Sequence, residues 1–149
     1  MTVDLEALAA LGARMVEMTP HAAALGLKFV SVEADVGTLM VPYRGDLVGD
    51  PRTGVLAGGV ITALLDHACG LAVKAAAFDF DATATLDLRI DYMRPAQPRR
   101  DVTARAHCYK LTHTIAFVRA VAFEDDPDDP IATAQAAFVR AGAAPKAPA

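Results

Sequence analysis

Residues 54–72, GVLAGGVITALLDHACGLA, decide the fold. Two glycines, Gly58 and Gly59, open an apolar run that continues to about Phe78 with almost nothing polar in it. Such a run predicts one long helix, roughly 58–78, and a helix apolar nearly all round is buried on most sides. At about 100° per residue, Ile61, Leu64, Leu65, Ala68, Leu71 and Ala72 share one broad face suited to packing on a sheet. The opposite stripe holds Gly59, Ala63, Asp66, Gly70 and Ala77, with Val73 near its edge. Apart from Asp66 and Val73, nothing on it is larger than methyl. Another helix, a second copy of the chain or a ligand can therefore come close to the backbone there. Asp66 is the one ionisable group on that stripe.

A carboxylate within an apolar helix costs free energy unless it is paired or used. In a structural reading, Asp66 is satisfied by an arginine or by backbone N–H groups. In a functional reading it is a base or nucleophile in a narrow, partly dry slot, where desolvation raises its basicity. The glycines favour the second reading. At a helix N-terminus, free N–H groups and the positive end of the dipole face outward. With no Cβ in the way, a carbonyl oxygen can approach those N–H groups closely, as an oxyanion site requires. Asp66 lies about two turns further on, too far to attack the same carbonyl comfortably from the same chain. If both groups serve one reaction they come from different subunits, and the small-residue stripe suits such a dimer.

The flanks define the rest of the domain. Leu5, Leu8, Leu11 and Val16 predict a short helix over 4–16, and Thr19-Pro20 ends it or starts another turn. Residues 27–35 read as extended, Val36-Gly37 as a turn, and 37–43 as a second strand ended by Pro42, together a hairpin. Gly45, Gly49, Pro51 and Gly54 mark 44–57 as a loop, long enough to suggest function. After the helix the period becomes two. Ala84, Leu86, Leu88, Ile90 and Tyr92 alternate with Thr85, Asp87, Arg89, Asp91 and Met93, which places Thr85 on the more polar face. Val102, Ala104, Ala106 and Cys108 continue the pattern, and 114–124 and 131–140 are two more strands. The DDPDDP segment, 125–130, is a turn, and 141–149 is a frayed end. The order predicts a single α+β domain over 1–149, a long central helix wrapped by a curved antiparallel sheet of five to six strands.

Composition narrows the function. The chain has 149 residues, 54% of them apolar, and a net charge of −4. That is enough for one full core, and the absence of a basic excess argues against a nucleic-acid partner. Asp66, His67 and Lys74 interrupt the richest apolar run, so no membrane span is expected. Asp4 and Glu6 stand where a signal peptide would carry Lys or Arg, and a cytoplasmic location is expected. Cys69 and Cys108 have no CxxC partner and read as buried free thiols. His21, His67, His107 and His113 form no HExxH or HxH spacing, so no metal is expected. His67 adjoins Asp66 but points roughly 100° away, a helix-flank histidine.

Residues 54–72 resemble the G-x-x-H-G-G-x-x-x-x-L-x-D-x-x-x-G core of the PaaI-like, 4-hydroxybenzoyl-CoA thioesterase-type, hotdog-fold acyl-CoA thioesterases. TATLDLRIDYMRPA, 83–96, resembles the strand that follows in that family, with its Y-x-R-P-A ending. LGLKFVSVEADVGTLMVPY, 25–43, and PIATAQAAFVRA, 130–141, fit as well, so the resemblance spans about 25–140.

The resemblance implies a homodimer whose sheets join edge to edge, often paired again into a tetramer, with an acyl-CoA thioester site at the subunit interface. It implies no cofactor, since coenzyme A arrives as part of the substrate. Asp66 matches the carboxylate that attacks the carbonyl or activates water. Gly58 matches the glycine whose N–H polarises the carbonyl, and Thr85 matches a Ser/Thr that positions the water. Ala57 and Gly59 fall beside the thioester. Arg94, and His113 with Lys110, are candidates for coenzyme A phosphates, against a pairing of Arg94 with Asp91 and a plain exposed turn at 113.

Two positions depart from the pattern: Ala57 replaces the family histidine, and Pro51 an asparagine six residues earlier. Coenzyme A thiolate leaves with a thiol pKa of about 8–9, so a base and a carbonyl polariser can suffice. Ala57 enlarges and dries the site, which favours bulkier or apolar acyl groups. The departures keep a non-catalytic acyl-CoA-binding protein as the alternative. A hotdog dehydratase ranks last, because its His-containing active-site helix is not seen.

Overall fold

The computed structural model describes residues 4–79 and 82–140; the expected frayed end at 141–149 lies outside the described residues. Helix α1 (Leu5–Met18) starts at Asp4, whose carboxylate accepts the Ala7 N–H at 3.1 Å, and stops at Thr19. Pro20 then opens α2 (Pro20–Leu25), where its missing N–H and fixed φ suit a first turn. Gly26, at φ +71°, closes α2 in a left-handed cap.

Next come β1 (Lys28–Val32), β2 (Val36–Val41), a 3-10 turn (Gly45–Leu47), β3 (Val48–Asp50), β4 (Val55–Leu56) and α3 (Gly58–Ala77). The chain ends in β5 (Thr83–Tyr92), β6 (Val102–Leu111), β7 (Ile115–Phe123) and β8 (Ala132–Arg140). Six strands form one antiparallel sheet in the order β1-β2-β6-β7-β8-β5. Helix α3 lies across one face of it, so the long helix leaves the β2 side and its following strand becomes the far edge.

All six residues of the broad face, Ile61 to Ala72, are 0–1% exposed. They meet the inward rows of β6, β7 and β8, where Val102, Ala104 and Ala106, then Ala116, Val118 and Ala120, then Ala134, Ala136 and Phe138 are buried. Alanine dominates these rows because the helix sits close. A Cβ on Gly37 would lie 2.7 Å from Leu71 Cγ and 3.0 Å from the Ala72 backbone nitrogen. By length and composition α3 is apolar enough to cross a membrane, yet more than half of its apolar window is buried within the fold.

Several local expectations change. The turn before β2 spans Glu33–Asp35 rather than Val36-Gly37: the Glu33 N–H bonds the Val36 carbonyl, while Val36 and Gly37 already pair with His107 and Ala106. The 44–57 stretch is a short β3–β4 hairpin and not a plain loop. Its turn is closed by Asp50, whose carboxylate accepts the Arg52 N–H, and by Gly54 at φ +71°. Val73 is fully buried and belongs to the core, not to the edge of the small-residue stripe. Cys69 and Cys108 are buried free thiols. Burial pushes the Cys69 thiol up to about 12, reinforced by the nearby Asp66 charge and by Cys108.

Candidate active site

The small-residue stripe of α3 faces away from the sheet centre. Gly58 and Gly59 are exposed at its start, and Ala63, Asp66, Gly70 and Ala77 are half-buried along it. Asp66 takes neither an arginine nor a backbone cap. The Thr85 hydroxyl on β5 donates to its Oδ1 at 2.8 Å. Strict alternation would turn Thr85 away from the helix with Asp87 and Arg89. A bulge at Leu86 changes that: Thr85 pairs with Phe138, and Asp87 already pairs with Ala137. The extra residue reverses the facing of everything before it. Thr85 therefore shares the helix side with Leu88, Ile90 and Tyr92, while Asp87, Arg89 and Asp91 take the outer face beside Ala137, Gln135 and Thr133.

The same parity brings Tyr92 to the start of α3. Its hydroxyl donates to the Gly58 carbonyl at 2.8 Å and lies 2.6 Å from Thr62 Oγ1, which itself reaches the Gly58 carbonyl at 3.1 Å. Neither Tyr92 nor Thr62 stands out in the sequence. Tyr92 reads there as one more apolar position of an alternating strand, and only its place in the Tyr-Met-Arg-Pro ending signals it.

The helix begins at Ala57, whose side chain can accept no N–H, so the first turn has no side-chain cap. A Cβ on Gly58 would meet only Tyr92, at an ordinary 3.8 Å, and a Cβ on Gly59 would meet nothing within 4 Å. The fold of this chain does not require either glycine. A cleft of about 370 Å³ opens beside them, with Gly58, Tyr92 and Arg94 on its wall and Ile61, Met93 and Ile131 as apolar lining. Asp66 lies eight residues beyond Gly58, about 12 Å along the helix axis. Within one chain the two groups do not converge.

The remaining candidates are spread out. Ala57 packs against Gly49, where a Cβ would come within 3.0 Å of the Ala57 Cα. Arg94 does not pair with Asp91, which is held by Arg89. Its guanidinium is bidentate to Glu124 at 2.6 and 3.1 Å and also meets Asp129 at 3.3 Å. Burial works to raise the Glu124 carboxyl, but the Arg94 bonds and the Gln97 N–H outweigh it and hold the group below its ordinary value. His113 is exposed in the β6–β7 turn, where Arg140 binds the carbonyls of Thr112 and His113. That is the Thr83 end of β5, and Gly58 is at the Tyr92 end, about 30 Å away along a ten-residue strand. His67 packs 6.0 Å from the His21 ring, ring centre to ring centre. Burial lowers its pKa, against the Asp66 charge that raises it. Among the described residues, no group of three His, Cys, Asp or Glu side chains is placed to hold a metal ion.

β5 is the last strand of the sheet, so one of its edges has no partner within the chain. Around it Leu86, Tyr92 and Met93 are 57, 51 and 58% exposed. A long edge strand is normally paired, covered or blunted by charge, and β5 carries Asp87, Arg89 and Asp91.

Comparison with known proteins agrees with the geometry. The family model described as the thioesterase superfamily matches residues 53–131, which contain the glycine pair, Asp66, Thr85 and Tyr92. The medium/long-chain acyl-CoA thioesterase YigI of Escherichia coli is 28% identical over 147 residues, 90% of this chain and 94% of that one. A Pseudomonas aeruginosa protein of solved structure is 41% identical, with a TM-score of 0.82 over 89% of this chain and 98% of that one. A variant of the phenylacetic acid degradation protein PaaI from Thermus thermophilus is 27% identical, with a TM-score of 0.70 over 81% of this chain and 98% of that one. The chain belongs to the thioesterase superfamily, as one of its PaaI-like hotdog-fold enzymes.

Proposed function

We propose that this protein hydrolyses acyl-CoA thioesters at a site shared by two subunits, with Asp66 of one subunit acting on a carbonyl held by the Gly58 N–H of the other. The observation that carries this reading is the 2.8 Å bond from Thr85 to Asp66. It orients the one carboxylate of the stripe by a hydroxyl, and no cation pairs with it among the described residues. The edge of β5, paired with β5 of a second copy, would place the glycines of one chain opposite the Asp66 of the other.

The steps follow from the groups present. The thioester oxygen accepts from the Gly58 N–H, with the helix dipole adding to the polarisation. Asp66 takes a proton from water that attacks the carbonyl carbon, or attacks it directly to form an acyl anhydride that water then cleaves to the free acid, restoring the carboxylate. Thr85 steers that carboxylate or its water. The coenzyme A thiolate leaves without a strong acid, since its thiol pKa is about 8.5. The relative named for medium- and long-chain substrates, the apolar cleft and Ala57 in place of a histidine support an apolar acyl group.

The test is thiol release from a panel of aliphatic and aryl acyl-CoAs, with wild type against Asp66→Asn. Equal rates would remove Asp66 from the chemistry. Tight binding by calorimetry with no turnover of any substrate would favour the non-catalytic binder that Ala57 and Pro51 suggest. Subunit sharing has its own test. An Asp66→Asn chain and a Gly59→Val chain, each inactive alone, are unfolded and refolded together. A shared site restores one working centre per mixed dimer, and a site built within one chain restores none.

A further inference from the structure

The Thr62 bond to the Gly58 carbonyl is the ordinary back-bond of a helical threonine, but the Tyr92 bond from a neighbouring strand is accounted for neither by that nor by helix capping. The groups left unsatisfied at a helix N-terminus are N–H groups, and the first-turn carbonyls belong to the helix ladder. Here two hydroxyls converge instead on a carbonyl, that of Gly58. They carry two protons between them, so of the three contacts of 2.6, 2.8 and 3.1 Å two are hydrogen bonds at once: one between the hydroxyls and one to the carbonyl. One comes from the adjacent turn of α3 and the other from the end of the outermost strand.

The peptide they grip joins two glycines, Gly58 and Gly59, which have little intrinsic rigidity. Its oxygen is Gly58's and its N–H is Gly59's. Hydrogen bonds to a peptide oxygen draw electron density towards it and strengthen the donor at the other end. They also hold Gly58 to one orientation, which aims its own N–H.

We propose that Tyr92, backed by Thr62, is a positioning residue for the thioester carbonyl: it holds and polarises the Gly58–Gly59 peptide so that the glycine N–H groups are fixed donors. This rests on the reading that the Gly58 N–H receives the carbonyl, and it adds the Gly59 N–H beside it as a second donor. Tyr92 does not touch the substrate carbonyl in this role and exchanges no proton with it. It does from the neighbouring strand what a capping side chain at Ala57 would otherwise do for the geometry of the first turn.

The experiment compares Tyr92→Phe, Thr62→Val and the double variant with wild type on one acyl-CoA, measuring kcat, KM and melting temperature. Tyr92→Phe keeps the ring and removes only the hydroxyl. The expected result is a kcat lowered about tenfold, less than the loss on deleting an oxyanion donor outright, with KM within about twofold. The double variant is expected to be little worse than Tyr92→Phe alone, because the two hydroxyls act as a unit. A second readout is the infrared carbonyl stretch of an acyl-CoA bound to Asp66→Asn protein, its carbonyl labelled with carbon-13. Adding Tyr92→Phe should move the band back towards the frequency of the free thioester.

Unchanged kcat, a rise in KM alone, or a lowered kcat with an unmoved carbonyl band would each overturn the proposal. If Asp66→Asn is inactive while Tyr92→Phe keeps full kcat and an unmoved band, only the role of Tyr92 fails. If Asp66→Asn hydrolyses at the wild-type rate, the underlying reading of the site fails instead.

Discussion

Gly37 and Gly59 lie at opposite ends of α3 and lack a side chain for opposite reasons. Gly37, on β2, faces the C-terminal half of the helix, where Leu71 and the Ala72 backbone would be 2.7 to 3.0 Å from any Cβ. The wall is already there, and it belongs to the same chain. Gly59 starts the helix, and a Cβ on it would point into open space. One end of α3 is closed by packing and the other is open among the described residues, so the proposed site predicts that stability and activity separate along a single helix.

Asp66→Asn tests that separation most sharply. It keeps the shape and the Thr85 contact but removes the base, and it is expected to lower kcat by about 10²–10⁴-fold with little change in melting temperature. A large loss of stability would return Asp66 to the structural side. Gly37→Ala is the counterpart. Its methyl must displace Leu71, at an expected cost of about 1–3 kcal/mol in urea unfolding, with kcat of the folded fraction unchanged. A neutral outcome would mean that the helix shifts freely on the sheet.

Arg94 tests which side of the comparison a cleft residue belongs to. It lines the cleft, yet its guanidinium is taken by Glu124, whose side chain is 3% exposed. Glu124→Gln is expected to lower stability by about 1–3 kcal/mol at pH 7 and to leave KM for acyl-CoA unchanged. The sign of the pH dependence follows from the lowered Glu124 pKa. Its contribution is fully present above the ordinary value of 4.5 and is lost as pH falls through the lower folded value. The wild type should therefore shed stability on acidification below about pH 4.5 more steeply than Glu124→Gln. A changed KM would place Arg94 with the substrate phosphates.

The smallest structural effect is expected from Gly59→Ala. A helix gains up to about 1 kcal/mol from Ala in place of Gly, and no neighbour within the chain opposes it. The melting temperature should hold or rise while kcat/KM falls, because in the proposed site the new methyl would stand where the thioester approaches. A variant as active as wild type would mean that nothing comes close to Gly59 in the working enzyme.

Much of the architecture is legible in one dimension. The long helix, its six-residue buried face, the four later strands and the exceptional position of Asp66 are all periodic signals, and periodicity survives in a sequence. Period two puts Thr85 on the wrong face because it has no mark for an extra residue. Leu86 is an ordinary strand residue, and only pairing with β8 reveals it as a bulge. The turn before β2 is displaced for a similar reason. Gly37 reads as a turn former, although its lack of a Cβ serves the approach of α3. Asp91 is the partner the sequence offers for Arg94, because its true partners stand thirty or more residues away, Glu124 at the end of a predicted strand and Asp129 in the acidic turn.

The sequence by itself determined which groups are available: two glycines at a helix start, a single carboxylate on a small-residue stripe, and a run of strands able to cover the opposite face. Those follow from local spacing and from the free-energy cost of burying a charge. The tertiary structure alone decided how the groups are used. It turned Thr85 onto Asp66, brought Tyr92 to the Gly58 carbonyl, withdrew Arg94 into a pair with Glu124, and left Gly59 facing empty space. Each of these depends on strand register and sheet order, long-range pairings that no local pattern specifies.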